Sequence, residues 1–264
     1  MFIHGTTDTV LLKVSGRVAR LELNRPDQYN ALDPEMIRAI TVALKEVAHM
    51  DETDVLVIAG NGKGFCAGGD IKSMLAKEVN DSFFQVMDLI NEMVINLYCS
   101  PKLTISEVHG AAAGLGFSLA LASDYIIADE STRLAMNFIG IGLIPDGGAH
   151  FFLNRRLGEH KTKRLIWEGE KLTAREAYNR GLIDKLVEDG NLRRAVDEKV
   201  EDWLNKPLQA MIKTKKILAE VNRPELLKVL ELEKHGQYKM RQTHDHREGV
   251  SAFIEKRMPN FKGE

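Results

Sequence analysis

The sequence predicts an α/β protein. Apolar runs of strand length recur at Val10–Val14, Val18–Leu23, Val55–Ala59, Leu103–Val108 and Tyr125–Ala128, and segments with apolar residues at helical spacing separate them. From Leu192 to Arg257 the strand pattern stops and the periodicity is helical throughout. The chain therefore divides into an α/β core over residues 1–191 and a helical region over 192–264.

Each element has a local reason. Val10–Val14 and Val18–Leu23 alternate around Ser15-Gly16, the pattern of a hairpin, and Asn24-Arg25-Pro26 stops the second strand. Asp33 as N-cap and Pro34 in the first turn start a helix that runs to His49. Val55–Ala59 is uniformly apolar, as a strand buried on both faces requires. Helical spacing marks Phe83–Cys99, and the small and apolar residues Leu119–Asp124 read as another helix. Helices are also predicted at Lys161–Trp167 and at Thr173–Arg180, where Thr173 and Glu176 fit a capping box.

Composition narrows the function. Thirty-six basic residues stand against thirty-eight acidic ones, for a net charge of −2, so no basic surplus points to nucleic acid. The two cysteines, Cys66 and Cys99, give no disulfide framework and suit a reducing compartment. The opening MFIHGTTDTV has neither the charged nor the apolar part of a signal peptide, and no apolar run approaches the about 20 residues that span a bilayer. The expectation is a cytoplasmic protein with no membrane partner.

Two glycine-rich stretches carry the chemistry. Gly60–Asp70 follows the strand at Val55, and His109–Ser118 follows the strand at Leu103; the second holds three glycines and three alanines. So little side-chain bulk lets backbone approach a ligand closely. One N–H from each loop, converging on a single oxygen, makes an oxyanion hole. A nucleotide site fits poorly: Gly62-Lys63-Gly64-Phe65-Cys66-Ala67 lacks the acidic residue that should end a strand about 20 residues on, and no Ser or Thr follows Lys63 as a phosphate loop requires.

Further motifs follow in order: Asn24-Arg25-Pro26 with Asn30-Ala31-Leu32, Phe65 to Lys72, His109 to Gly116, Ala122-Ser123-Asp124, Gly142 to Gly148, Ala174-Arg175-Glu176-Ala177 through Gly181-Leu182-Ile183, and Arg247 to Arg257 with Pro259-Asn260-Phe261. Together they resemble the enoyl-CoA hydratase/isomerase, or crotonase, family over nearly the whole chain. The resemblance implies a spiral of ββα units, a C-terminal helical trimerisation region, and a homotrimer or homohexamer. It implies an acyl-CoA thioester as substrate, with coenzyme A part of that substrate and no separate cofactor or metal. By motif position, the N–H groups of Gly69 and Leu115 hold the thioester oxygen. Ala31, Ala67, Asp70, Ile71 and Lys72 line the CoA path with Arg25 nearby, and Phe253 and Lys256 help to cover CoA. Acyl-pocket walls are expected within Met74–Met93.

The chain departs from the family's hydratases. Their two water-activating glutamates fall at the positions of Ser118 and Phe138 here. One acid remains in a family catalytic position: Asp146, after Pro145, matches the base of an isomerase subgroup. The resemblance therefore favours an enoyl-CoA isomerase with Asp146 moving a proton between acyl carbons. Two rivals fit the same residues, water addition with Asp146 or Glu107 as base, and a CoA-ester binder without catalysis. Asp146 also reads as a helix cap. Cys66 reads as packing, His150 as structural, and His244-Asp245-His246 as a polar helix start rather than a metal site.

Overall fold

The computed structural model describes residues 2–70 and 82–264. Its main sheet runs, edge to edge, through β1 (Phe2–Thr7), β2 (Val10–Ser15), β3 (Val18–Leu23), β4 (Val55–Gly60), β5 (Leu103–Val108), β7 (Tyr125–Asp129) and β10 (Lys185–Val187). The first three strands pair antiparallel and the rest pair parallel. A second sheet holds β6 (Ala111–Ala113), β8 (Arg133–Ala135) and β9 (Lys171–Thr173).

Helices cover both faces of the main sheet, which is why its central strands are apolar along their whole length. On one face lies α1 (Pro34–His49), whose Met36, Ile37, Ile40, Ala43, Leu44 and Val47 form a buried stripe against Leu21, Leu56 and Ile58. Asp33 caps it, accepting from Met36 N–H at 2.8 Å. Beside α1 packs α2 (Phe83–Tyr98). On the opposite face, α7 (Leu192–Leu204) buries Leu192, Ala195, Val196, Val200 and Trp203 against Val55, Val57, Ile105 and Ile127. The remaining helices are α3 (Leu115–Leu121), α4 (Ala149–Leu157), α5 (Glu159–Glu168), α6 (Ala174–Asn179), α8 (Leu208–Met240) and α9 (His244–Glu255). Among the described residues no helix is long and apolar enough to cross a membrane.

The α/β class holds, and most predicted elements sit within a residue or two of their expected ends. The helix expected at Leu119–Asp124 instead starts at Leu115 and ends at Leu121. Gly114, with φ +51°, turns the chain straight from β6 into it. Ala111–Ala113, three residues of poor strand propensity, become a strand because Arg133–Ala135 pairs alongside them. Ala122-Ser123-Asp124 proves architectural. Asp124 accepts from Thr104 N–H (2.8 Å), Thr104 Oγ1 (2.9 Å) and Lys215 Nζ of α8 (2.7 Å), tying strand and long helix together.

Both glycine-rich loops leave the carboxyl ends of neighbouring parallel strands, the usual place for a ligand in an open α/β sheet. Asn30 fixes the first of them. It is fully buried with φ +56°, and its amide donates to the carbonyls of Asn61 (3.0 Å), Gly64 (2.9 Å) and Phe65 (3.1 Å). Asn30→Ala strands these acceptors and is expected to lower the unfolding free energy by about 2–3 kcal/mol, measured by urea denaturation.

Candidate active site

The two loops are stitched together by their backbones. Phe65 N–H donates to His109 O (2.8 Å), Cys66 N–H to Ala111 O (2.9 Å), and Ala113 N–H to Cys66 O (2.9 Å). Gly68 then turns at φ +95°, and a Cβ there would lie 2.7 Å from Ala113 O, so only glycine fits the approach. Two backbone donors remain next to this junction. Among the described residues neither Gly69 N–H nor Leu115 N–H has a hydrogen-bond partner. Leu115 N–H is free because it opens α3, where no preceding turn supplies an acceptor.

Both residues line a cavity of about 280 Å³. Ala67 and Gly68 share the loop side, while Phe138, Ile141 and Leu143 make an apolar wall opposite. Lys171 and Phe253 also line the cavity. Phe253 is 59 % exposed, so it is no core residue, and it lines the cavity of its own chain. Lys256 caps the end of α9 in a left-handed conformation and is not part of this lining.

Ser118 and Phe138, expected from the sequence at the hydratase-glutamate positions, have packing and hydrogen-bonding uses. The Phe138 ring packs against Gly114, where a Cβ would stand 3.5 Å from its Cζ. Ser118, fully buried on α3, donates its hydroxyl to the Asp146 backbone carbonyl at 2.8 Å. The loop of Leu115 and the segment of Asp146 are therefore tied, and the Leu115 side chain packs on Gly147.

Asp146 itself is 2 % exposed. Its Oδ2 accepts from Gln237 Nε2 at 3.1 Å, and among the described residues its Oδ1 has no hydrogen-bond partner. Burial pushes its pKa up from the ordinary 3.8 to about 8; the nearby Glu233 charge adds to the rise, and the Gln237 hydrogen bond opposes it. Asp146 does not cap α4 with its side chain. That task falls to Glu233 of α8, whose carboxylate accepts from Gly148 N–H (2.7 Å), His150 N–H (3.1 Å) and His150 Nδ1–H (2.7 Å). Asp146 is not among the residues lining the cavity; it stands behind Leu115 and Ser118.

The remaining candidates separate clearly. Glu107 points to the α7 face of the sheet, where Arg20 binds it through both oxygens at 2.7 and 2.9 Å, so the structure removes it as a water-activating base. Cys66 is buried, donates to Asn30 O, and burial pushes its thiol up to about 12, which suits packing. Arg25 donates to Ala31 O and pairs with Asp33 and Asp70, bracing the end of the first loop. Ile71, Lys72 and the first part of Met74–Met93 lie outside the described residues. His246 Nδ1 donates to Ile141 O, and Asp245 accepts from Lys262 and Gly263 N–H, so His244-Asp245-His246 organises the chain end. Among the described residues no cluster of three His, Cys, Asp or Glu is placed to hold a metal.

Sequence reasoning missed Glu233 and Gln237. The available signal was positional: with Leu226 and Leu230 they share one buried face of α8 at spacings of four, three and four, so two polar residues sit in an apolar stripe.

A sequence model of enoyl-CoA hydratase/isomerase matches residues 13–264. The chain belongs to the enoyl-CoA hydratase/isomerase family. A Bacillus subtilis protein named for the same family is 47 % identical over 248 residues, covering 94 % of this chain and 96 % of the relative. The 1,2-epoxyphenylacetyl-CoA isomerase of Escherichia coli is 34 % identical, over 96 % of this chain and 98 % of its own length. The crystal structure of an enoyl-CoA hydratase from Mycobacterium avium subsp. paratuberculosis superposes with a TM-score of 0.87 at 31 % identity, covering 96 % of this chain and 98 % of that one. The fold is therefore the crotonase fold, and the family implies an acyl-CoA thioester as substrate. The Arg20–Glu107 pair is a matter of stability: Glu107→Ala leaves a half-buried guanidinium with Glu22 as its remaining carboxylate partner and should cost about 1–3 kcal/mol in thermal or urea unfolding, with turnover per folded molecule unchanged.

Proposed function

We propose that this family member is an isomerase that shifts a double bond in an enoyl-CoA. The observation that carries the reading is the buried carboxyl of Asp146, its pKa raised to about 8, in a chain whose hydratase-glutamate positions hold Ser118 and Phe138. In this reading the thioester oxygen of a 3-enoyl-CoA accepts from Gly69 and Leu115 N–H. Asp146 does not line the cavity in this structure, so the step requires the acyl chain to reach past Leu115 and Ser118. Ionised Asp146 then takes a proton from C2, and the electron pair of that C–H bond delocalises into a dienolate with its charge on the thioester oxygen. The same carboxyl returns the proton at C4, and the double bond comes to rest between C2 and C3. The preset N–H donors stabilise the charge as it forms, and each is worth about 3–4 kcal/mol of barrier. The apolar wall of Phe138, Ile141 and Leu143 keeps water from adding to the conjugated product. The isomerase named among the relatives supports this reading, whereas the hydratase structure favours water addition.

Incubation with a 3-enoyl-CoA in D2O, followed by NMR, separates these readings. Double-bond migration with deuterium entry, reduced about 100-fold or more in Asp146→Asn, is the expected result. Undiminished migration in Asp146→Asn overturns the mechanism, solvent oxygen in a 3-hydroxyacyl-CoA product would establish the hydratase, and CoA-ester binding without exchange would leave a binder. Because a C2 proton is taken by the ionised form, turnover from the 3-enoyl side should rise with pH and level off above about 8.

The same carboxyl makes a stability prediction. Its folded pKa lies above its unfolded value, so the folded state holds the extra proton, and stability falls as pH climbs from about 4 through about 8. Asp146→Asn should therefore raise Tm more at pH 9 than at pH 5, as calorimetry would read. Assembly follows the family expectation of a homotrimer or homohexamer. Ile217, Leu218 and Val221 on α8 and Ile254 on α9 are each more than half exposed, an apolar surface suited to a second copy.

A further inference from the structure

A buried carboxylate needs donors to remain charged. Glu233, 2 % exposed, has three: two backbone N–H groups at the start of α4 and the ring Nδ1–H of His150. It thus caps α4 from a different helix and ties to α8 the Gly147-Gly148 turn that carries Asp146. One turn further along α8, Gln237 donates through Nε2 both to Ile144 O (2.6 Å) and to Asp146 Oδ2 (3.1 Å). The groups around Asp146 are therefore the Glu233 carboxylate and the neutral Gln237 donor from α8, His150 from α4 bound to that carboxylate, and the neutral Ser118 hydroxyl from α3 on its backbone.

We propose that Glu233 and Gln237 are positioning residues for the Asp146 proton carrier. Glu233 sets a carboxylate beside the Asp146 carboxyl and locks its turn; Gln237 holds one oxygen and leaves the other for the transferred proton. The inference rests on the proton-carrier reading given above. Its distinctive consequence is that the two residues act on Asp146 in opposite senses. Without the Glu233 charge, Asp146 ionises at lower pH; without the Gln237 donor, it ionises at higher pH.

The test compares Glu233→Gln and Gln237→Met with wild type in two readouts: the pH dependence of 3-enoyl-CoA isomerisation, and the infrared band of the protonated Asp146 carboxyl, isolated by subtracting the matching Asp146→Asn protein. The midpoint of both is expected to fall by about one pH unit in Glu233→Gln and to rise by a similar amount in Gln237→Met. Midpoints that stay fixed, or that move the same way in both variants, overturn the inference. If Glu233→Gln does not fold, Gln237→Met decides, and an unmoved or lowered midpoint there counts against it. Turnover that survives Asp146→Asn instead brings down the proton-carrier reading. Loss of turnover in Asp146→Asn with unmoved infrared midpoints leaves that reading standing and removes only the role of Glu233 and Gln237.

Discussion

The junction between the two glycine-rich loops is the constraint on which the site depends. Three main-chain hydrogen bonds between residues 65–66 and 109–113 fix loops that leave separate strands, and side chains would keep the loops apart. Backbone groups are stiff and carry no rotamer entropy, so donors placed this way need no reorganisation when charge develops. Asn30 supplies the other half of that rigidity, filling the interior of the first loop with one amide. The result is a pair of unpaired N–H groups beside an apolar cavity, a geometry that follows from small residues rather than from reactive ones.

The second constraint is electrostatic. A buried carboxyl with one oxygen to which no described residue donates is poorly stabilised in its charged form, and Asp146 is raised accordingly. Glu233 is just as deeply buried, yet a helix terminus and an imidazole surround it with donors. Two acids of similar burial thus differ in their hydrogen bonds, and Asp146, with a single donor, is raised to about 8, where it can exchange a proton near neutrality.

How much of this was legible depended on whether a feature was local. The Asp33 cap, the Thr173–Glu176 capping box and the apolar runs of β4 and β5 are written in adjacent residues, and the structure reproduces them. The start of α3 and the strand Ala111–Ala113 were not legible, because a distant segment, Arg133–Ala135, decides them. The orientation of Glu107 could not be read from alternation alone; its partner Arg20 lies 87 positions away, on β3. Asp146 was recognisable as an acid in a telling place. Its surroundings were not, because Glu233 and Gln237 come from a helix more than 80 residues later in the chain.

The central claim is that Gly69 and Leu115 N–H polarise a thioester carbonyl. Isotope-edited infrared spectroscopy of an enoyl-CoA carrying 13C at its carbonyl, bound to the Asp146→Asn protein so that it does not turn over, reads that polarisation directly. The account predicts that the carbonyl stretch moves to lower frequency on binding, because two donors weaken the C=O bond. A stretch that stays at its solution frequency or rises would contradict it, since the thioester oxygen would then lie away from both donors.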